Sequence, residues 1–210
     1  STRLKDELLF RWDVLLTGTF PPLSLSAFEY PGWFVEAVTF SFFYLTLALV
    51  LFGSYVFYTN QKLFRQAAVA FCLGSLVSFA GWIIFPVLSP HDRFIDNVYN
   101  LPISSEVQAY LEKYQPQEEI RAFLKDMRES KANLAVLPTS TFPSAHVFWA
   151  GLLVYYTYRL NRWLLIGVFP LAVLSSFGTF FFAQHYFVDL PAGILVAVFA
   201  IFTAKWVAKT

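Results

Sequence analysis

The chain has 210 residues, of which 57% are hydrophobic, 20% aromatic and only 14% charged, and its formal net charge is +1. A soluble domain carries about a quarter charged residues, so this composition predicts a membrane protein. The near-neutral charge gives no reason to expect nucleic acid as a partner, and the single cysteine, Cys72, excludes an intrachain disulfide or a cysteine metal site.

The first 33 residues are apolar in patches, but Arg11, Asp13 and the Pro21-Pro22 pair interrupt them. This pattern favours an interfacial or re-entrant segment over residues 1–33 rather than a membrane span. Ser1 opens a polar stretch rather than a basic segment followed by an apolar core, so no signal peptide is predicted. The sequence leaves open whether a first transmembrane helix precedes Ser1.

Five apolar stretches follow this segment. A bilayer core about 30 Å thick needs about 20 helical residues. The stretches cover residues 34–58, 64–88, 144–159, 163–183 and 188–207, the third being short unless it extends into its flanks. The sequence therefore predicts an all-α integral membrane protein, with residues 1–210 forming a single membrane domain.

Basic residues predict the orientation of these spans. They lie in the connection after the first span, in the connection after the third and in the C-terminal tail (Lys62, Arg65, Arg159, Arg162, Lys205 and Lys209). If the five spans alternate, all three places share one side, which the positive-inside rule makes cytoplasmic. All three histidines, His91, His146 and His185, then face the periplasm or lumen.

The long connection over residues 89–142 has two stretches typical of short amphipathic helices. "ISSEVQAYLEKY" offers Ser104 or Ser105 as a cap with Glu106 in the first turn, and "QPQEEIRAFLKDMRES" places Pro116 at a first helical position. We expect a helical cap on the outer face, acting either as a lid or as a packed cover.

Two histidine motifs open spans on this same face. His185 and Asp189 are four residues apart, a spacing that on a helix puts both on one face. A carboxylate there can hold one imidazole nitrogen and leave the other as a lone pair. Taken alone, His185 and Asp189 could also form a simple ion pair at the start of a helix. Taken alone, His146 could be an interfacial residue. Together they favour catalysis, because a membrane border is an expensive place for unused polar groups.

These residues carry a resemblance to a known family. "PSAH" at 143–146 resembles the second signature of the type 2 phosphatidic acid phosphatase (PAP2) superfamily, and "HYFVD" at 185–189 resembles its third, which ends His-x-x-x-Asp. The resemblance covers about residues 34–208 and implies a six-helix membrane bundle with metal-independent phosphoryl transfer through a phosphohistidine. It makes His185 the nucleophile, Asp189 its orienting partner and His146 the acid, while Ser144 lines the phosphate pocket. No cofactor or metal is expected.

The sequence departs from the family pattern where phosphate-binding cations are expected. Gly178 and Thr179 stand where the third signature usually has Ser-Arg, and the first signature, a Lys followed by Arg-Pro, is missing. In its place, "FPVLSPHDRF" at 85–94 is similar to a proline-rich segment of the inositol phosphorylceramide synthase branch. Arg93 is the candidate phosphate clamp, with a headgroup-facing interfacial Arg as the alternative, and His91 beside it is a candidate substrate contact.

A phosphodiester donor carries less negative charge than a monoester, so the missing cations favour transfer of a phospho-headgroup between lipids. The expected partners are the bilayer and a phospholipid or lipid-phosphate substrate, with no nucleic acid and the oligomeric state open. The nearest rival is a lipid phosphate or polyprenyl pyrophosphate phosphatase. A non-catalytic lipid-binding bundle is the rival from another class, and the complete set of His146, His185 and Asp189 argues against it.

Overall fold

The computed structural model describes residues 4–97, 99–114 and 141–207, together with the isolated positions 118, 120, 122 and 125. Within these residues every regular element is helical. The α-helices are α1 (Asp6–Thr17), α2 (Pro21–Ser24), α3 (Gly32–Thr59), α4 (Gln61–Ile84), α5 (Ser105–Lys113), α6 (Ala145–Leu160), α7 (Leu165–Phe181) and α8 (Asp189–Val207). A π-helical turn covers His91–Ile95 and a 3-10 turn covers Arg162–Leu164.

Four of the predicted spans are long and apolar enough to cross a membrane: Gly32–Thr59, Gln61–Ile84, Arg162–Phe181 and Asp189–Val207. These helices confirm an all-α integral membrane protein. The remaining predicted span is α6, whose 16 residues cover about 24 Å at a rise of about 1.5 Å each. Before α3, the described residues form only α1, with 12 residues, and α2, with 4.

The short helix α6 lies at the centre of the bundle, packed against α3, α4, α7 and α8. Its buried residues surround the helix axis (Val147, Phe148, Ala150, Leu152, Leu153, Tyr156 and Thr157), as expected for a helix enclosed by others. The Phe148 ring lies directly over Gly74 of α4, where any Cβ would collide with it. The first turn of α6 is therefore packed closely against the middle of α4.

One end of the bundle collects the basic connections. Arg159 donates to the Tyr155 hydroxyl at 2.9 Å, and the Lys205 ammonium lies 4.8 Å from the centre of the same ring. The Tyr156 hydroxyl donates to the carbonyl of Gln66 at 3.0 Å, which brings the start of α4 to this end as well. The connections predicted to be cytoplasmic thus meet at a single end.

The opposite end is covered by the N-terminal helices, the π-helical turn, α5 and the turn between α7 and α8. They share a buried core of aliphatic and aromatic side chains (Leu9, Phe10, Phe20, Leu23, Val87, Phe94, Val107, Tyr186 and Val188). The first predicted cap helix is α5, with Ser104 at its N-cap position. Most of the second, around Pro116, lies outside the described residues.

Candidate active site

Two chain segments meet at this covered end and carry the predicted catalytic residues. Ser144 is the N-cap of α6, and its hydroxyl accepts a hydrogen bond from the amide of Val147 at 3.3 Å. Asp189 is the first residue of α8, and its carbonyl accepts from the Ser144 amide at 3.2 Å. A Cβ on Gly193 would lie 2.5 Å from the Ser144 carbonyl oxygen, so a glycine is needed for this close approach.

His185 and Asp189 make the predicted contact, but not on a common helix. His185 lies in the irregular turn that precedes α8, and its Nδ1 is 3.0 Å from Asp189 Oδ2. The same oxygen accepts from the amide of Tyr186 at 3.1 Å, and Asp189 is fully buried. The helical geometry assumed for this pair is therefore wrong: the turn ends α7 before His185, and the Asp189 carboxylate reaches back from the start of α8.

The second nitrogen of His185 faces the N-terminus of α6. With Nδ1–H donating to the carboxylate, Nε2 is left as a lone pair. It lies 3.4 Å from the Ser144 hydroxyl, and 13% of the His185 side chain is exposed. A nucleophilic nitrogen held by a carboxylate and pointing at a helix N-terminus is an arrangement suited to attack on an anionic centre.

His146 is the second residue of α6, and its ring contacts α3. Its Nε2 is 3.0 Å from the carbonyl oxygen of Phe42, and its ring stacks on the Phe42 ring at 4.6 Å with an angle of 9°. Since a carbonyl only accepts, Nε2 carries the hydrogen and Nδ1 is the atom left for proton transfer. Phe42 had no sequence signal, because it is one of many aromatic residues in α3.

Thr179 stands where the family signature has a cation, and its role here is structural. It is fully buried, and its hydroxyl donates to the Ser176 carbonyl at 2.7 Å. Its own carbonyl accepts from the amides of Gln184 and His185, both at 2.9 Å. The Thr179 carbonyl therefore holds the backbone that follows α7, including His185, and the side chain adds no positive charge.

Arg93 and His91 lie in the cap and bond within it. Arg93 is 6% exposed, and its guanidinium donates to the carbonyls of Pro102 at 2.7 Å and Leu101 at 3.5 Å. The amide of His91 donates to the carbonyl of Ala183 at 2.8 Å, which ties the π-helical turn to the turn that holds His185. Neither side chain hydrogen-bonds to a predicted catalytic residue in the described part of the chain.

Two carboxylates of α1 reach this turn, and sequence reasoning missed their role. Asp13 is fully buried and accepts from the amides of Phe187 and Val188. Burial raises the pKa of Asp13 to about 7, the two amides oppose this, and the charge of Asp189 adds to it. Asp6 is also buried, and burial raises its pKa. Asp13 interrupts the apolar run "LLFRWDVLL", and that interruption was the available signal.

Comparison with known proteins agrees with this geometry. Residues 8–203 match the family model of the PAP2 superfamily, a match that covers most of the chain and begins inside α1. No curated protein and no solved structure matches. The chain therefore belongs to the PAP2 superfamily, whose members are phosphatases and phosphotransferases.

Proposed function

We propose that this PAP2 superfamily member transfers a phospho-headgroup from one membrane lipid to the hydroxyl of another, through a phosphohistidine on His185. One observation carries the proposal: His185 Nδ1 is held by the buried carboxylate of Asp189, while Nε2 faces Ser144 at the N-terminus of α6. The positive end of that helix favours a phosphate group beside Nε2.

In the first half-reaction the Nε2 lone pair attacks phosphorus, and the bond between phosphorus and the leaving oxygen breaks. His146 donates a proton to that oxygen, while Asp189 stabilises the cation that forms on the His185 ring. In the second half-reaction an acceptor hydroxyl attacks the phosphohistidine and the P–N bond breaks. His146 takes the hydroxyl proton and is restored for the next turnover.

The absence of a cation at position 179 supports transfer over simple hydrolysis of a monoester. Thr179 is buried and committed to the end of α7, so fewer positive charges face the phosphate than in the family signature. A phosphodiester carries one negative charge and needs fewer of them. Arg93 remains a candidate phosphate ligand, and to act as one its guanidinium would exchange the Pro102 and Leu101 carbonyls for phosphate oxygens.

An apolar groove supports a substrate with long hydrocarbon chains. It has a volume of about 440 Å³ and runs between α3 and α4 over α6, from Val56 and Phe64 to Trp149. The Trp149 ring lies 5.7 Å from the ring of His146, so the groove ends beside the site. A lipid chain in it would leave the phosphate next to the two histidines.

The proposed side of the reaction is non-cytoplasmic. The site lies at the end opposite the basic connections of Arg159 and Lys205. By the positive-inside rule, the basic end is cytoplasmic. The site would then face the periplasm or an organelle lumen.

Product analysis by mass spectrometry tests the function. Detergent-solubilised wild type and His185→Ala are incubated with mixed phospholipids and lipid alcohols. Tyr58→Phe is the control for substitution, because Tyr58 is exposed near the end of α3 and does not line the groove. We expect a new phosphorylated lipid that is absent with His185→Ala and present with the control. Free phosphate and dephosphorylated lipid would instead identify a phosphatase. A product pattern unchanged by His185→Ala would contradict the phosphohistidine.

A further inference from the structure

The turn between His185 and Asp189 is held from outside the bundle, by helix α1. Asp13 Oδ2 accepts a hydrogen bond from the amide of Phe187 at 2.8 Å, and Asp13 Oδ1 accepts from the amide of Val188 at 3.0 Å. These two amides belong to consecutive residues directly before Asp189. A single carboxylate therefore satisfies both.

The remaining residue of the turn is held by the other buried carboxylate of α1. The hydroxyl of Tyr186 donates to Asp6 Oδ1 at 3.3 Å, and the same oxygen accepts from the amide of Leu88 at 2.7 Å. Tyr186 is fully buried, and its amide donates to Asp189. All three residues between His185 and Asp189 are thus bonded to a carboxylate of α1.

We propose that Asp13 is a positioning residue, which braces residues 186–188 so that His185 keeps its Nδ1 on Asp189 and its Nε2 towards the substrate. The inference rests on the proposed function for its effect on turnover, and on geometry alone for its effect on the turn. Asp13 touches no reacting atom, so it acts through the backbone of Phe187 and Val188.

The turn needs such a brace because its internal hydrogen bonds serve His185, Tyr186 and Asp189, while the amides of Phe187 and Val188 bond to Asp13. The residues between α7 and α8 form no regular helix, and Ala183 adopts a positive φ of 51°. A buried amide without an acceptor costs free energy, and the amides of Phe187 and Val188 find theirs in Asp13. Without that acceptor the turn would open towards water, and the His185 ring would move with it.

The charges around Asp13 support a functional role for its hydrogen bonds to the turn. Asp13 lies near a second carboxylate, Asp189, whose charge opposes its ionisation, and burial opposes it further. The other charged group from α1 at the turn is Asp6, which has Arg93 as a neighbouring cation. Gathering three carboxylates around Tyr186 is unfavourable for folding, and conflicts of this kind are expected at functional sites.

The test compares Asp13→Asn with Glu7→Gln in the full chain. An asparagine keeps the shape but faces one of the two amides with its own NH₂ group. Glu7 lies on the same helix, and in the described residues it makes no hydrogen bond to the turn. We expect Asp13→Asn to lower kcat 10- to 100-fold with KM changed less than threefold, and Asp13→Glu, which keeps both acceptor oxygens, to recover part of the loss. Turnover is measured in mixed micelles with dioleoyl phosphatidylglycerol as the phosphodiester donor and a long-chain alcohol as the acceptor, and with the donor identified by product analysis.

Two readouts that need no turnover complete the test. Hydrogen exchange of peptides covering residues 183–190 should speed up at least tenfold in Asp13→Asn and stay unchanged in Glu7→Gln. The rate at which diethyl pyrocarbonate modifies His185 should rise in the same variant. Unchanged exchange and modification in Asp13→Asn would overturn the brace. An inactive wild type whose exchange responds as expected would support the brace and count against the proposed function.

Discussion

His185 and His91 both lie at the covered end of the bundle and both contact aspartates. They differ in the surroundings of the ring nitrogen that the first aspartate does not bind. His185 has a carboxylate on Nδ1 only, with Nε2 facing Ser144. His91 has Asp92 at 3.2 Å from Nδ1 and Asp96 at 3.5 Å from Nε2, so both of its nitrogens are engaged. A His–Asp pair becomes reactive only where the other nitrogen keeps a lone pair directed at open space.

The largest effect that this comparison predicts is on turnover. We expect His185→Gln to lower kcat by more than about 1,000-fold, because no other group there can form the phosphohistidine. The matched change, His91→Gln, should leave kcat within tenfold and lower the melting temperature, since it removes a buried ring held by two carboxylates. Initial rates and thermal unfolding in detergent measure both. A KM raised more than tenfold by His91→Gln would instead make His91 a substrate contact.

Asp189→Asn should have the next largest effect. An amide in place of the buried carboxylate can no longer both orient the His185 ring and stabilise its cation. A loss of kcat of about 100- to 10,000-fold is expected for such a change, with KM little affected. Accumulation of ³²P-phosphoprotein, measured by rapid quench, should slow in parallel. A variant that keeps wild-type rates would show that His185 does not depend on its carboxylate.

Gly193→Ala tests the backbone approach that places Ser144 opposite His185. The added Cβ would meet the Ser144 carbonyl at 2.5 Å and Val147 Cβ at 3.0 Å, so we expect a loss of about 1–3 kcal/mol in unfolding free energy, together with lower activity. Gly167→Ala is the control, because nothing lies within 4 Å of its Cβ. That variant should match wild type or gain up to about 1 kcal/mol. Equal stability of the two variants would contradict the close approach of α6 and α8.

The smallest expected effect is the contribution of Asp13 to the pH dependence of stability. Because burial raises the pKa of Asp13 to about 7, above about 3.9 in an unfolded chain, the folded state binds this proton more tightly. Its stabilising contribution is complete below about pH 4 and is lost as the pH rises through 7, by about 1.4 kcal/mol between pH 6 and pH 8. Asp13→Asn should remove that decline in thermal unfolding profiles. A variant with the wild-type slope would assign the decline to other groups.

Much of the fold could be predicted because hydropathy is a property of each segment alone. The spans around α3, α4, α7 and α8 follow from runs of apolar residues that must satisfy their backbone hydrogen bonds internally. The shortness of α6 was also visible in its sequence. Its central position was not, because a helix enclosed by protein and one facing lipid have the same apolar composition.

The candidate site also has residues that could be predicted from the sequence and contacts that could not. His146, His185 and Asp189 were identifiable because polar residues at the border of apolar runs stand out. The partners of these residues were not: Phe42 is one aromatic among many, and the amides that Asp13 binds belong to residues more than 170 positions away. Arg93 stays a candidate phosphate ligand from the resemblance of residues 85–94, and the contacts of its guanidinium with the carbonyls of Leu101 and Pro102 could not be read from the sequence.

The sequence by itself thus determined the class of protein, the membrane helices and the candidate reactive groups, since each depends on residue type and on short spacing. Only the tertiary structure decided how those groups are arranged. It turned His185 out of the helix, placed its Nε2 against the start of α6 and engaged both nitrogens of His91. It also brought the carboxylates of α1 to the reactive turn. Such contacts join segments that are distant in the chain, and they arise because buried donors must find acceptors wherever packing supplies them.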